Sequence, residues 1–157
     1  MIYFFDTSAL QHAYIPTTLT RGIRRTLSDG RNTCFIAEAS ILEIASTFGR
    51  HCRKNRLSTL NYRRLDNAFW KHVGDRRLHL RSAGQREIWK ARHLLEYSVE
   101  LNRNVSSFDA LIAASALECA LQRSAKVCLC LEDRRLYELL NDLPAYKAAL
   151  RFRFLVR

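Results

Sequence analysis

The chain has 157 residues, 48% of them hydrophobic, and its 26 Lys and Arg against 15 Asp and Glu give a net charge of +11. This length fills one hydrophobic core, so we expect a single domain over residues 1–157. The longest apolar stretch, residues 110–121, is shorter than the roughly 18 to 20 residues of a membrane helix, which excludes a membrane span. No secretory signal follows Met1, and we expect a cytoplasmic protein. The charge favours a polyanion or an acidic protein as partner over neutral metabolites.

Hydrophobic periodicity and turn residues predict strands that alternate with helices along the chain. Residues 2–5 are a β-branched and aromatic run typical of a buried strand that ends at Asp6, and Thr7 and Ser8 are suited to cap a short helix reaching about residue 14. Further helices are predicted at residues 18–28, 39–49 (closed or kinked by Gly49), 58–73, 84–99, 108–122 and 134–140, and further strands at 33–36, 78–80, 126–131 and 150–156. This alternation indicates an α/β fold whose central, mostly parallel sheet is covered on both faces.

Five cysteines cannot all pair, and a chain with its own core does not depend on disulfides, so we expect reduced thiols. Cys128 and Cys130 share one face of the predicted strand at 126–131. They are interpreted as small buried hydrophobic side chains, with a metal or redox role as the alternative.

Most of the positive charge falls in residues 50–81, which contain ten Lys or Arg and two acids. Aromatic rings interleave with these cations: Tyr62, Phe69, Trp70 and His72. Cations that follow phosphates and rings that stack on bases are typical of a nucleic-acid surface. A solvated helix face is the alternative interpretation.

Two acids follow predicted strands of the sheet. Asp6 ends the first strand, and Asp133 follows the strand at 126–131 with Glu132 beside it. In open parallel sheets the reactive crevice lies beyond the carboxyl ends of the strands, which makes both acids candidate functional residues. Each could instead be a helix N-cap, a position for which Asp is among the best residues.

Two further acids lie on predicted helices. Asp109 stands three residues after Ser106, a capping-box spacing, and it also heads the apolar stripe of its helix, so its carboxylate is expected to face inward. Glu43 is flanked by apolar residues, although an ordinary exposed helical Glu is the alternative. Four carboxylates in one crevice would repel one another unless a divalent cation offset their charge, and oxygen ligands suit Mg²⁺ or Mn²⁺.

Four segments resemble, in order, those of PIN domains and in particular the VapC-like toxins. They are Ile-Tyr-Phe-Phe-Asp6-Thr-Ser8-Ala-Leu, Phe-Ile-Ala-Glu-Ala-Ser-Ile-Leu-Glu43-Ile-Ala-Ser, Ser-Ser-Phe-Asp109-Ala-Leu-Ile-Ala-Ala-Ser-Ala-Leu and Leu-Cys-Leu-Glu-Asp133-Arg-Arg-Leu. Each motif alone is weak, whereas four in the family's order, spanning Met1 to about Leu140, are considerably stronger.

This resemblance implies a PIN-like three-layer α/β/α sandwich and metal-dependent hydrolysis of RNA phosphodiester bonds. It assigns Asp6, Glu43, Asp109 and Asp133 as catalytic metal ligands for Mg²⁺ or Mn²⁺, and Ser8 as a hydrogen-bonding partner within the acidic cluster. It also implies an antitoxin protein as partner and a homodimer. Basic residues of the 50–81 segment are then expected to hold the RNA backbone: Arg53, Lys54 and Arg56.

The chain departs from the family pattern before Asp133, where Glu132 replaces the more typical Ser or Thr and could add charge to the site or point to solvent. Glu38, five residues before Glu43, is interpreted as structural. One alternative function is a catalytically silent PIN-fold module that binds RNA or protein without metal. A phosphatase with Asp6 as nucleophile is disfavoured, because a second Asp would be expected where Ser8 stands.

Overall fold

The computed structural model describes residues 1–155, which form five strands, eight α-helices and a 3₁₀ turn at Gln11–Ala13. The strands are β1 (Ile2–Phe5), β2 (Thr33–Ala37), β3 (His79–Arg81), β4 (Val127–Leu131) and β5 (Leu150–Phe154). The helices are α1 (Thr7–Leu10), α2 (Thr20–Ser28), α3 (Ser40–Lys54), α4 (Thr59–Gly74), α5 (Gln85–Glu100), α6 (Ser107–Arg123), α7 (Arg134–Asp142) and α8 (Pro144–Ala149).

The five strands form one sheet in the order β3-β2-β1-β4-β5, and every pairing is parallel. The central strands are nearly continuous hydrophobic runs, as expected when helices cover both faces of a parallel sheet. The chain leaves β1 toward β2 on one side and later returns to pair β4 on the other. The carboxyl ends of β1 and β4 therefore border the crevice where the strand order reverses.

The sheet separates two hydrophobic cores, because successive side chains of a strand point to opposite faces. Phe4 and Leu129 face a core shared with α5, α6, α7 and α8. Phe5 and Cys130 face a second core shared with α1, α2, α3 and α4. This arrangement is the three-layer α/β/α sandwich that the sequence motifs predicted.

Three local predictions need correction, and one helix was not predicted. Neither Thr7 nor Ser8 caps α1, whose N-cap position is occupied by Asp6 without a side-chain capping bond. Helix α3 continues through Gly49 to Lys54, because Phe48 and Cys52 on either side of the glycine are buried and hold the helix against the core. Helix α8 was not predicted, since its six residues are too few to show a helical period. The predicted strand at 150–156 ends at Phe154, and Val156 lies outside the described residues.

All five cysteine thiols are free and buried, and Cys128 and Cys130 pack as small side chains beneath the helices. Across residues 1–155, no helix has both the length and the apolar character that crossing a bilayer requires.

Leu129 tests the contribution of the central sheet, because it is fully buried in β4. We expect Leu129→Ala to lower the free energy of unfolding by about 2–5 kcal/mol through lost apolar burial and a residual cavity. Urea denaturation followed by circular dichroism measures this change. Leu121→Ala is the matched control, because Leu121 is 54% exposed, and it should cost less than about 1 kcal/mol. Equal losses in the two variants would contradict the assigned core.

Candidate metal centre

The candidate site lies at the carboxyl end of β1, where Asp6 directly follows the strand. The backbone N–H of Asp6 donates to the carbonyl of Cys130 at 2.9 Å, which extends the β1–β4 ladder by one bond. Its side chain is only 3% exposed. The Ser8 hydroxyl donates a short hydrogen bond to Oδ2 of Asp6. Ser8 therefore restrains the first carboxylate.

Glu43 reaches the same region from the first turn of α3. The hydroxyl of Thr7 donates to its Oε2 at 2.7 Å, which ties α1 to α3 across the cleft. This contact of Thr7 was not predicted, because a Thr just before a helix is equally suited to be its cap. The only signal in the sequence is that Thr7 adjoins Asp6.

Asp109 and Asp133 each combine a helix cap with a place at the cleft. Oδ2 of Asp109 accepts from the hydroxyl of Ser106 at 2.7 Å and from its backbone N–H at 3.3 Å, which completes the predicted capping box of α6. Oδ1 of Asp133 accepts from the backbone N–H of Leu136 at 2.9 Å and caps α7. These bonds engage one oxygen of each carboxylate and leave the other for a further ligand.

All four predicted acids line one open cleft of about 490 Å³. Each acid lies at a helix N-terminus: Asp6 before α1, Glu43 in the first turn of α3, Asp109 in the first turn of α6 and Asp133 before α7. Unpaired backbone N–H groups give helix N-termini partial positive charge, which favours the ionised carboxylates. The cleft is completed by Thr7, Ser8, Gln11, Leu42, Ser46, Thr47, Arg50 and Phe108.

The electrostatics of the cleft are dominated by unbalanced negative charge. Burial, together with repulsion from Asp109 and Glu43, raises the pKa of Asp6 to about 7, despite the lowering effect of the Ser8 hydrogen bond. Within residues 1–155, none of the four carboxylates forms an ion pair with Lys or Arg. A bound cation would offset both the desolvation cost of the buried Asp6 charge and the repulsion among the carboxylates.

The donor set fits a hard divalent cation, since it offers carboxylate oxygens around a buried acid that lacks a counter-charge. In the described part of the chain, however, no three His, Cys, Asp or Glu side chains are grouped closely enough to hold a metal ion as they stand. The four acids therefore share a cleft, and their side chains would have to converge further to coordinate one ion.

Glu132, the departure from the family pattern, does not line the cleft. Its Oε1 lies 2.5 Å from Nε2 of His12, which is completely buried, and its backbone N–H donates to the Ser8 hydroxyl at 3.2 Å. The other ring nitrogen of His12, Nδ1, lies 2.8 Å from the hydroxyl of Thr17. Glu132 thus holds the start of α1 at Ser8 through its backbone N–H. Glu38 is exposed and also lies outside the cleft.

Of the predicted RNA contacts, Arg53 and Arg56 line neither the carboxylate cleft nor the cavity beside it, whereas Lys54 lines that neighbouring cavity. Among the interleaved aromatic residues, Phe69 is buried in the core and unable to stack on a base, and Trp70 is 43% exposed. Arg50, which the sequence analysis did not select, lines the cleft. Its spacing of seven residues from Glu43 places both on one helix face and could have identified it.

The raised pKa of Asp6 predicts a pH dependence of stability in the absence of metal. Between its ordinary value of 3.8 and about 7, the folded state binds more protons than the unfolded chain, so the free energy of unfolding falls as the pH rises. The full penalty, up to about 4 kcal/mol, is present above pH 7. We expect Asp6→Asn to remove this fall, measured by urea denaturation in EDTA from pH 4.5 to 8. Parallel curves for the wild type and the variant would show that Asp6 titrates normally.

No protein-family model matches the sequence, and no curated protein matches it significantly. Solved structures do match over almost the whole chain. A chain of VapBC2 from Rickettsia felis, crystallised with a promoter DNA fragment, has a TM-score of 0.63 at 15% identity, covering 98% of this chain and 99% of that one. For VapBC-1 from nontypeable Haemophilus influenzae the TM-score is 0.65 at 14% identity, with 98% of each chain covered.

VapBC-5 from Mycobacterium tuberculosis, a member of the VapBC family of toxin-antitoxin systems, gives a TM-score of 0.62 at 16% identity, again with 98% of each chain covered. At these identities the likeness is one of fold. The five-stranded parallel sheet with helices on both faces, and its match to these structures over almost the whole chain, show that the chain has the PIN-like α/β/α fold of the matched chains in these VapBC structures.

Proposed function

We propose that this chain, as a single domain in the cytoplasm, is a metal-dependent endoribonuclease and the toxin of a toxin–antitoxin pair. Asp6, Glu43, Asp109 and Asp133 would hold Mg²⁺ or Mn²⁺ and form the catalytic centre. The observation that carries the proposal is that four acids from distant parts of the sequence line one cleft and have no cationic partner among residues 1–155. Such a cleft repels polyanions unless it holds a cation.

When bound, a divalent ion supplies a nucleophilic water at neutral pH and stabilises the negative charge that develops on the leaving oxygen. The chain's own residues orient the ligands. Ser8 holds Asp6, Thr7 holds Glu43, and the capping bonds of Ser106 and Leu136 hold Asp109 and Asp133. Because these bonds come from different elements, each carboxylate is restrained beside the cleft, and the four would have to converge further to coordinate one ion.

The partner proposal draws on the matched structures, which are VapBC assemblies, and on the charge of this chain. A net charge of +11 favours both an RNA substrate and an acidic antitoxin segment that covers the cleft and the basic surface beside it. A homodimer is proposed by analogy with the same fold family.

Substitution of single carboxylates tests the catalytic assignment. In Mg²⁺ or Mn²⁺, we expect the wild type to cleave RNA and Asp6→Asn, Glu43→Gln, Asp109→Asn and Asp133→Asn each to lose at least about 100-fold in kcat/KM, because each removes one charge and one ligand. Gel analysis of defined RNAs measures the rates. Glu38→Gln is the matched control, since it makes the same chemical change outside the cleft, and it should retain wild-type activity. Undiminished cleavage by the Asp6 and Asp109 variants would refute the site.

Thermal unfolding tests metal binding without reference to activity. Saturating Mn²⁺ at about 100 times its Kd should stabilise the folded wild type by about 2.7 kcal/mol at neutral pH. Asp6→Asn should lose most of this stabilisation. Without metal, Asp6→Asn should unfold at a higher temperature than the wild type. Differential scanning calorimetry measures both changes. If the wild type binds RNA in a salt-dependent way but shows neither cleavage nor stabilisation by divalent ions, the chain is a silent RNA-binding module and the enzymatic proposal fails.

A further inference from the structure

A second cavity of about 500 Å³ adjoins the carboxylate cleft and shares a wall with it. Gln11, Thr47 and Arg50 line both spaces, so the two form one continuous depression. We call the second space the α3 groove. Its remaining lining residues come from the segment after α1 and from the last turns of α3: His12, Ile15, Thr17, Thr18, His51 and Lys54.

One face of α3 runs along the whole depression. Glu43, Thr47, Arg50 and Lys54 are spaced by four, seven and eleven residues from the first, which places them on the same side of a helix with 3.6 residues per turn. At 1.5 Å per residue the face is about 16 Å long from the carboxylate to the last cation. This is long enough for more than one phosphate of a nucleic-acid strand.

The charge changes sign along this face. Glu43 lies at the acidic end, and the cations Arg50 and Lys54 are exposed at the other. Within residues 1–155 neither cation forms an ion pair, and the hydrogen bond of the Arg50 guanidinium is to the neutral hydroxyl of Thr47 at 3.0 Å. Two cations without counter-charges, in a groove that opens onto the candidate metal centre, are placed to bind an anion there.

We infer that the α3 groove binds the phosphodiester backbone of the RNA strand beside the bond that is cut, with Arg50 and Lys54 as its phosphate contacts. The inference rests on the proposed function for the cleavage reaction in the adjoining cleft. The phosphate binding that it describes depends only on the residues of the groove. It replaces Arg53 and Arg56 of the sequence-based hypothesis with Arg50, and it keeps Lys54.

An RNA strand suits this groove better than an acidic protein segment. An amphipathic peptide binds through apolar anchors, and the only aliphatic side chain among the described residues that line the groove is Ile15. Hydroxyl and amide side chains make up half of the other lining residues, and such groups are common phosphate contacts.

The chain offers a matched control for the test. Arg53 and Lys54 are adjacent and both exposed, but they are rotated by about 100° around the helix, and only Lys54 lines the groove. Arg56 lies beyond the end of α3 and also outside the groove. Arg50→Ala/Lys54→Ala and Arg53→Ala/Arg56→Ala therefore remove the same charge from one region, and only the first pair alters the groove.

The test measures binding of the full chain to a fluorescein-labelled single-stranded RNA by fluorescence anisotropy, in EDTA so that cleavage does not interfere, from 50 to 200 mM KCl. We expect Arg50→Ala/Lys54→Ala to raise Kd about tenfold and to reduce the slope of log K against log salt by about 1.4, the value for two lost phosphate contacts on a single strand. The control pair should change Kd less than about threefold and leave the slope unchanged. The single variants should show the same contrast: Lys54→Ala should reduce the slope by about 0.7, and Arg53→Ala should leave it unchanged.

Equal losses in the two double variants would overturn the groove assignment. Tighter binding of poly-glutamate than of RNA, with the same loss in Arg50→Ala/Lys54→Ala, would also overturn it, because the groove would then be a site for an acidic protein. Failure of the proposed function appears separately, as an absence of cleavage in Mg²⁺ or Mn²⁺ while the difference in RNA binding persists. Conversely, cleavage with an unchanged KM in Arg50→Ala/Lys54→Ala would reject the groove and leave the nuclease proposal standing.

Discussion

The candidate site depends on one electrostatic constraint, which is that a buried carboxylate is surrounded by others of the same sign. Asp6 is fixed at the end of a central strand, and its burial and its neighbours Asp109 and Glu43 oppose its ionisation. The protein offsets part of this cost through helix geometry, since all four acids occupy helix N-termini, where unpaired N–H groups favour negative charge. A bound divalent cation would offset the electrostatic cost that remains.

Capping and function are not alternatives at this site. Asp109 and Asp133 were open to interpretation either as helix caps or as functional acids, and the structure shows that each caps its helix and lines the cleft. A carboxylate has two oxygens, so one can complete a cap while the other faces the cleft. The capping bond also restrains the side chain, which is an advantage for a group that has to be in place before a ligand binds.

Helix α3 joins the two halves of the proposed binding surface. Its first turn carries Glu43, and its last turn carries His51, Arg53 and Lys54. Acids near the N-terminus and cations near the C-terminus both interact favourably with the helix dipole, so this order of charges stabilises the helix. The same order is expected of a groove that leads a polyanion toward a cation-binding cleft. The stability of the helix and the proposed orientation of the substrate therefore require the same distribution of charge along α3.

The sequence alone predicted the fold class, because apolar runs such as 2–5 and 127–131, with periodic helices between them, indicate a covered parallel sheet. It singled out Asp6 and Asp133 because they follow such runs, and Glu43 and Asp109 because they lie among apolar residues on helices whose segments resemble those of PIN domains. Only the tertiary structure decided their neighbours. Thr7 meets Glu43 across 36 positions and Glu132 meets His12 across 120, contacts that depend on how α1, α3 and β4 pack and leave no local periodicity to detect. For the same reason the choice among the many cations of residues 50–81 required the folded helix face, on which Arg50 and Lys54 share a wall and Arg53 does not.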